Sequence, residues 1–265
     1  RFYDPMDTAS LASAIDAHTR LVWLETPGSV TMEVPDIPAL IAVARARGVL
    51  TAIDNTWAAG LLFRPFDHGV DIVMHALTKY PSGGADVLMG SVCTRERALH
   101  QQLDYMHEHL GYGIAGNEAE LVLRSLPSIA LRYRAQDETT RALARWMQGR
   151  PEIAQVLHPA LPGSPGHEHW LATGGRGAAC LFSAVFRPQY GMADIDAFVD
   201  ALQLFGIGYS WAGPMSLAVP YEMSRSRQLP LPYSEGVIVR FAIGLEAEAD
   251  LRADLEQALA LLPAT

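Results

Sequence analysis

Through the first two-thirds of the chain, short apolar runs that end on a polar residue alternate with amphipathic stretches. Leu21-Val22-Trp23-Leu24 ends at Glu25, and Thr26-Pro27-Gly28-Ser29 then breaks the run. Asp36 stands before an apolar-periodic stretch from Ile37 to Ala46 that Gly48 closes, which predicts an N-capped helix. Val49 to Ile53 predicts a strand ending at Asp54. Val70 to Met74 predicts another, followed by His75-Ala76-Leu77-Thr78-Lys79, and Val87 to Cys93 a further one after the turn at Gly83-Gly84. Strands nearly continuous in apolar residues and separated by helices predict an α/β fold, a mostly parallel sheet with helices on both faces. Ligands commonly bind at the carboxyl ends of such strands.

From Pro127 to Met147 the pattern is helical, with Arg, Gln and Glu on one face and Leu, Ile and Ala on the other. Beyond Arg150, Pro and Gly punctuate the chain, as in His158-Pro159-Ala160-Leu161-Pro162-Gly163. A second set of elements follows: a strand from Ala179 to Phe186, a helix from Asp194 to Phe205, a strand from Val237 to Phe241 and a last helix from Ala249. These shifts predict a larger domain over residues 1–150 and a smaller C-terminal α/β domain over residues 151–265. Ala218 to Ser234, rich in Pro, Ser and Arg, reads as a long loop of the kind that often carries function.

Composition narrows the function classes. The 265 residues are 49% hydrophobic and 18% charged, the profile of a soluble chain long enough for two cores. A net charge of −9 without a Lys/Arg run excludes a nucleic-acid surface from the expectation. No apolar run approaches a membrane span. The His residues are dispersed, and no metal site is expected. Cys93 and Cys180 both sit in apolar runs and read as buried free thiols, which points to the cytoplasm. Arg1-Phe2-Tyr3-Asp4-Pro5-Met6 is expected to continue from sequence upstream.

Four features bear on chemistry. Asp54 closes a buried strand, where a carboxylate is costly unless it meets a cation. Capping of a loop or helix is the competing reading. Lys79 stands at the end of the next strand, just before a Gly-rich turn. A desolvated lysine there becomes a nucleophile toward a carbonyl carbon, although most lysines are surface charges. Thr78 beside it offers a hydroxyl to an anion such as a phosphate. Asp54 and Lys79 are one strand-loop-strand unit apart, so both can project into one crevice. That is the requirement of a pyridine cofactor: an acid at the ring nitrogen and an amine at the aldehyde carbon. Arg240, inside Val237-Ile238-Val239-Arg240-Phe241-Ala242-Ile243-Gly244, needs an anion. A core ion pair and a fork for a substrate carboxylate both answer that need.

Asp54-Asn55-Thr56-Trp57, Thr78-Lys79-Tyr80, Gly84-Ala85-Asp86-Val87-Leu88-Met89-Gly90 and Arg240 together resemble the fold-type I, cysteine/methionine-metabolism (trans-sulfuration) family of pyridoxal-phosphate enzymes. Glu25-Thr26-Pro27-Gly28-Ser29-Val30-Thr31-Met32-Glu33-Val34, Trp57-Ala58-Ala59-Gly60, His158 to Ser164 and Tyr209-Ser210-Trp211 place the likeness nearest the bacterial cystathionine β-lyases. The resemblance implies a type I aminotransferase-like fold, pyridoxal 5'-phosphate as cofactor and an amino-acid thioether as substrate. It assigns Lys79 to the aldehyde carbon, Asp54 to the pyridine nitrogen, Thr78 to the phosphate, Arg240 to the substrate α-carboxylate, and Ser210 and Trp211 to the substrate side. A Ser-Trp pair stands where γ-synthases and γ-lyases show a Leu-Gly type sequence, which favours α,β-elimination of L-cystathionine to homocysteine, pyruvate and ammonia. Ala76 replaces the Ser that many members carry three residues before the lysine. A phosphate loop, a ring-stacking Tyr and a Tyr/Arg pair reaching the partner subunit's cofactor are expected upstream of Arg1, in a full-length homotetramer built as a dimer of dimers. A γ-lyase or γ-synthase, a cysteine desulfhydrase and a catalytically silent fragment remain the alternatives.

Overall fold

Residues 1–223, 227–233 and 235–263 are described in the computed structural model. They fall into two units, one of Arg1–Thr26 and Pro35–Ile129 and the other of Pro27–Val34 and Ala130–Thr265.

In the first unit, four strands, β1 (Leu21–Glu25), β2 (Leu50–Asp54), β3 (Ile72–Ala76) and β4 (Gly90–Thr94), lie side by side in that order. β1, β2 and β3 are parallel and β4 is antiparallel to β3. The reversal follows from the link: residues 77–89 form turns and no helix, and a parallel return needs a crossover element. Helix α1 (Thr8–Ala14) is capped by Asp7, which accepts from Ala9 N–H at 2.8 Å. Helix α2 (Ile37–Arg45) is capped by Asp36, which accepts from Ala39 N–H at 3.0 Å. Its Ile37, Leu40, Ile41 and Ala44 are buried with Val22, Leu24, Ile53 and Val73 of the strands. The mixed sheet flanked by helices is the α/β class that the pattern predicts.

Two sequence readings change here. Helices α3 (Arg97–Leu110) and α4 (Gly116–Ser125) fill a stretch in which the pattern suggested no element. α3 buries none of its residues, although Leu99, Leu103, Met106 and Leu110 recur at helical spacing along one face. Cys93 is exposed, not buried; it lies on β4, where no residue is fully buried. Both cysteines are free thiols, and Cys180 is buried as expected.

The second unit holds β5 (Ile153–Leu157), β6 (Leu181–Phe186), β7 (Gly206–Ile207), β8 (Leu217–Tyr221) and β9 (Ile238–Ala242), in the order β5-β6-β9-β8-β7. All neighbours are antiparallel except β7 and β8. Among the described residues, helices α5 (Ile129–Gln148), α6 (His167–Ala172), α7 (Met192–Asp200) and α8 (Glu248–Leu259) accompany these strands. Phe182, Phe186, Phe198, Phe205 and Phe241 form a contiguous aromatic cluster in the core, with Phe182 and Phe241 stacked at 5.0 Å. α5 belongs to this unit because Leu143, Ala144 and Met147 enter the same core. The division therefore falls at residue 129, whereas the change of composition at Arg150 marks only the end of that helix.

The long loop expected from Ala218 to Ser234 is shorter than its composition suggests, because β8 occupies its start. β7 runs beside only Leu217 and Ala218, so Pro220 lies past the end of that pairing and no β7 residue needs a donor from it. Ser224, Arg225, Ser226 and Ser234 of that stretch lie outside the described residues. Among the described residues no helix is long and apolar enough to cross a membrane.

His158 supplies a test of this packing. Its ring is fully buried; Nδ1 accepts from Ala160 N–H at 3.3 Å, and Nε2 has no partner. Burial, with the charges of Arg141 and Arg145, pushes its pKa down to about 3. The unfolded chain therefore binds one more proton than the native one between the ordinary histidine value and that pKa. Stability should fall as pH drops through this window, by about 1.4 kcal/mol per pH unit for one proton. Urea unfolding across pH should show that slope in the parent and a shallower one in His158→Gln; equal slopes would remove His158 as the cause.

Candidate active site

Asp54 is the last residue of β2, in register with Met74 of β3. The chain then turns sharply. Asp54 Oδ1 accepts from Thr56 N–H at 2.9 Å, Asn55 N–H donates to Met74 O at 2.9 Å, and Ala76 N–H donates to Thr56 Oγ1 at 2.8 Å. These bonds sew the end of β2 to the end of β3. The second carboxylate oxygen of Asp54 receives no hydrogen bond among the described residues. His75, on β3, lies within electrostatic range of Asp54, and its Nε2 is 3.5 Å from Asn55 Nδ2. Burial holds the His75 pKa below the usual histidine range, and the Asp54 charge opposes that shift. Sequence reasoning passed over His75; its one signal was a polar residue on an otherwise apolar strand.

Lys79 follows β3 in a turn rather than ending the strand. Its N–H donates to Ala76 O at 3.1 Å, and its carbonyl accepts from Gly83 N–H at 3.1 Å and Ser82 Oγ at 3.3 Å. Gly83 sits at φ +68, a conformation that favours glycine, so the turn closing over Lys79 depends on that residue. Lys79 is half-buried beside the fully buried Tyr80.

Thr78 has a structural task of its own. Its Oγ1 accepts from Met89 N–H at 3.0 Å and donates to Met89 O at 3.2 Å. Met89 packs with Val87 and with Val122 of α4, so the 77–89 segment is held from both sides. The hydroxyl proton of Thr78 is thus committed to Met89, and a phosphate oxygen would compete for it.

In the second unit, Arg240 is 6% exposed at the centre of the β6-β9-β8 ladder. It projects to the face opposite Val239 and Phe241, which enter the core. Its Nη2 donates to Tyr209 O at 2.8 Å and Ser210 O at 3.3 Å, and the guanidinium lies over the Tyr221 ring at 5.7 Å. Nε is buried without a partner. No carboxylate pairs with Arg240 among the described residues. Burial pulls its pKa below the ordinary guanidinium value. Arg240 and Ser210, read separately from sequence, are thus brought together, with Trp211 the next residue along. Tyr221 was missed because its segment read as loop. Asp54, Thr78 and Lys79 belong to the first unit, and Arg240, Ser210 and Trp211 to the second.

The sequence profile of the family described as Cys/Met metabolism PLP-dependent enzyme matches residues 1–260. The chain belongs to this family. Among similar proteins, a putative cystathionine beta-lyase of Rhizobium johnstonii is 41% identical over 263 residues, covering 98% of this chain and 65% of that protein. An L-alanine/L-glutamate racemase of Wolbachia pipientis wMel is 36% identical over 263 residues, covering 99% of this chain and 64% of that protein. The crystal structure of cystathionine gamma synthase from Xanthomonas oryzae pv. oryzae, in complex with aminoacrylate and cysteine, superposes with a TM-score of 0.85. It is 33% identical and covers 98% of this chain and 69% of that one. The chain spans about two thirds of the length of these proteins.

Membership brings pyridoxal phosphate as the cofactor, and the first unit fits its two polar demands. Asp54 presents a carboxylate with one oxygen fixed by Thr56 and the other open. Lys79 stands in a turn that follows the adjacent parallel strand. Both are at the carboxyl end of the sheet, where α/β proteins bind ligands.

Proposed function

We propose that the full-length protein cleaves the Cβ–S bond of an amino-acid thioether, with L-cystathionine as substrate and homocysteine, pyruvate and ammonia as products. The observation that carries this reading is Arg240, a buried guanidinium with an unbonded Nε and no carboxylate partner among the described residues. Such a group is stabilised by an anion that binds and leaves, and an amino-acid carboxylate matches its two-pronged geometry.

When bound, the cofactor supplies an electron-accepting ring conjugated to the substrate amine. Asp54 would keep the ring nitrogen of the cofactor protonated. Lys79 would hold the cofactor through its amine and would serve as the base for the Cα proton. Arg240 grips the α-carboxylate, while Ser210 and Trp211 line the side on which the thioether lies. The sulfur leaves as the thiol of homocysteine, and the three-carbon remainder takes up water to release pyruvate and ammonia.

The Ser210-Trp211 pair and the likeness to a putative β-lyase support cleavage at Cβ. The likeness to a γ-synthase and to a racemase supports two other outcomes on the same residues. Product analysis separates the three. From cystathionine the β-lyase reading expects pyruvate; 2-oxobutyrate would move the reaction to Cγ, and loss of optical activity from L-alanine or L-glutamate would indicate racemisation.

Arg240→Lys tests the carboxylate fork. Lysine keeps the charge and loses the paired donors, so KM should rise while cofactor absorption stays intact. The expected loss in kcat/KM is roughly 2–4 kcal/mol. A lower Tm with unchanged KM would return Arg240 to a purely structural role.

A further inference from the structure

We propose that Glu33 and Arg227 are positioning residues for the carboxylate pocket built on Arg240, an inference that rests on the Arg240 assignment above. Glu33 is 2% exposed. Arg227 meets it with both prongs, Nη2 to Oε1 at 2.7 Å and Nη1 to Oε2 at 2.9 Å. Thr31 Oγ1 donates to the same carboxylate and accepts from Arg227 Nη1 at 3.3 Å. The pair joins two stretches 194 residues apart.

Each stretch leads to Arg240. Glu33 belongs to the 27–34 segment, which is folded tightly on itself: Met32 N–H donates to Gly28 O at 2.9 Å, and Gly28 N–H donates to Glu33 O at 2.8 Å. The carbonyl of Val30 in this segment accepts from Ser183 Oγ at 2.7 Å. Ser183 is directly opposite Arg240 in the β6–β9 ladder, so the two side chains share a face of the sheet. Arg227 belongs to the connection between β8 and β9, the strands that carry Tyr221 and Arg240. Its Nε donates to Pro230 O at 3.1 Å and its N–H to Met223 O at 2.9 Å, so the guanidinium also fixes the shape of that connection. The ion pair therefore ties together the two elements that border Arg240, one through Ser183 and the other through β8 and β9.

The bidentate contact to Arg227 also neutralises Glu33 where it is buried, so the two stretches are held together without an uncompensated charge.

The test uses the holoenzyme with an amino-acid substrate and its carboxamide. Arg227→Met should raise KM for the amino acid about tenfold or more, change kcat less than about threefold and leave cofactor absorption unchanged. Discrimination between carboxylate and carboxamide should fall by the same factor as KM rises. The double variant Arg227→Met with Glu33→Gln removes the uncompensated charge and should recover most of that discrimination. If Arg227→Met does not fold, Arg227→Lys replaces it, with a smaller KM rise expected because the charge remains and the fork is lost. A lower Tm with unchanged KM and discrimination, in whichever variant folds, would overturn the proposal. Arg240→Lys run in parallel separates the two readings: discrimination that survives Arg240→Lys defeats the Arg240 assignment itself. Loss there with none at Arg227 defeats only this inference.

Discussion

Lys79→Ala in the full-length protein should eliminate the visible absorption of lysine-bound cofactor and lower turnover at least about a thousandfold, since general-base and covalent contributions are lost together. The turn that carries Lys79 is held by backbone bonds to Ala76, Ser82 and Gly83, none of which needs the lysine side chain. The variant should therefore fold, and the loss will report chemistry rather than stability. Borohydride treatment gives an independent readout. The parent should acquire a stable cofactor adduct on reduction and Lys79→Ala should not. An adduct that persists in the variant would show that another lysine or amine holds the cofactor.

Asp54→Asn should leave the cofactor bound and slow proton removal from the substrate by about a hundredfold to a thousandfold, the range for losing one preorganised electrostatic stabiliser. Asparagine keeps the shape and its side-chain oxygen can still accept from Thr56 N–H, so the sewn ends of β2 and β3 should survive. The lost element is the negative charge that keeps the ring nitrogen protonated, and a neutral ring takes up less charge from Cα. A primary kinetic isotope effect from Cα-deuterated substrate should grow as proton removal becomes limiting. A near-normal kcat would take Asp54 away from the ring nitrogen and leave it as a turn cap. His75 makes the pH dependence of this variant informative. Burial already lowers its pKa, and the Asp54 charge is the raising influence. Removing that charge should lower the His75 pKa further, measurable from the titration of its ring protons.

The elements legible in the sequence were those whose burial is periodic and whose ends are chemically marked. α2 could be read because Asp36 caps it and Ile37, Leu40, Ile41 and Ala44 recur on one face. β6 could be read because every residue from Leu181 to Phe186 is buried, as in a central strand. β8 escaped because Pro220 imitates a loop where the β7 pairing has ended, whereas the Leu99, Leu103, Met106 and Leu110 stripe of α3 was legible at helical spacing. Cys93 was placed inside by its apolar neighbours, yet β4 leaves it exposed. A run of apolar residues reports propensity, whereas exposure depends on what lies across the strand.

The candidate site divides along the same line. Local sequence determined that Asp54 and Lys79 follow successive strands and that Arg240 interrupts an apolar one, because strand ends and charge in an apolar run are local properties. Tertiary structure decided what each side chain meets. It committed the Thr78 proton to Met89, set His75 beside Asp54, and enclosed Arg240 with the Tyr209 and Ser210 carbonyls and the Tyr221 ring, with no carboxylate among the described residues. It also joined Glu33 to Arg227 across 194 positions. Periodicity and capping act within a few residues along the chain. The pairing of a buried charge depends on which distant segments the fold brings to its side.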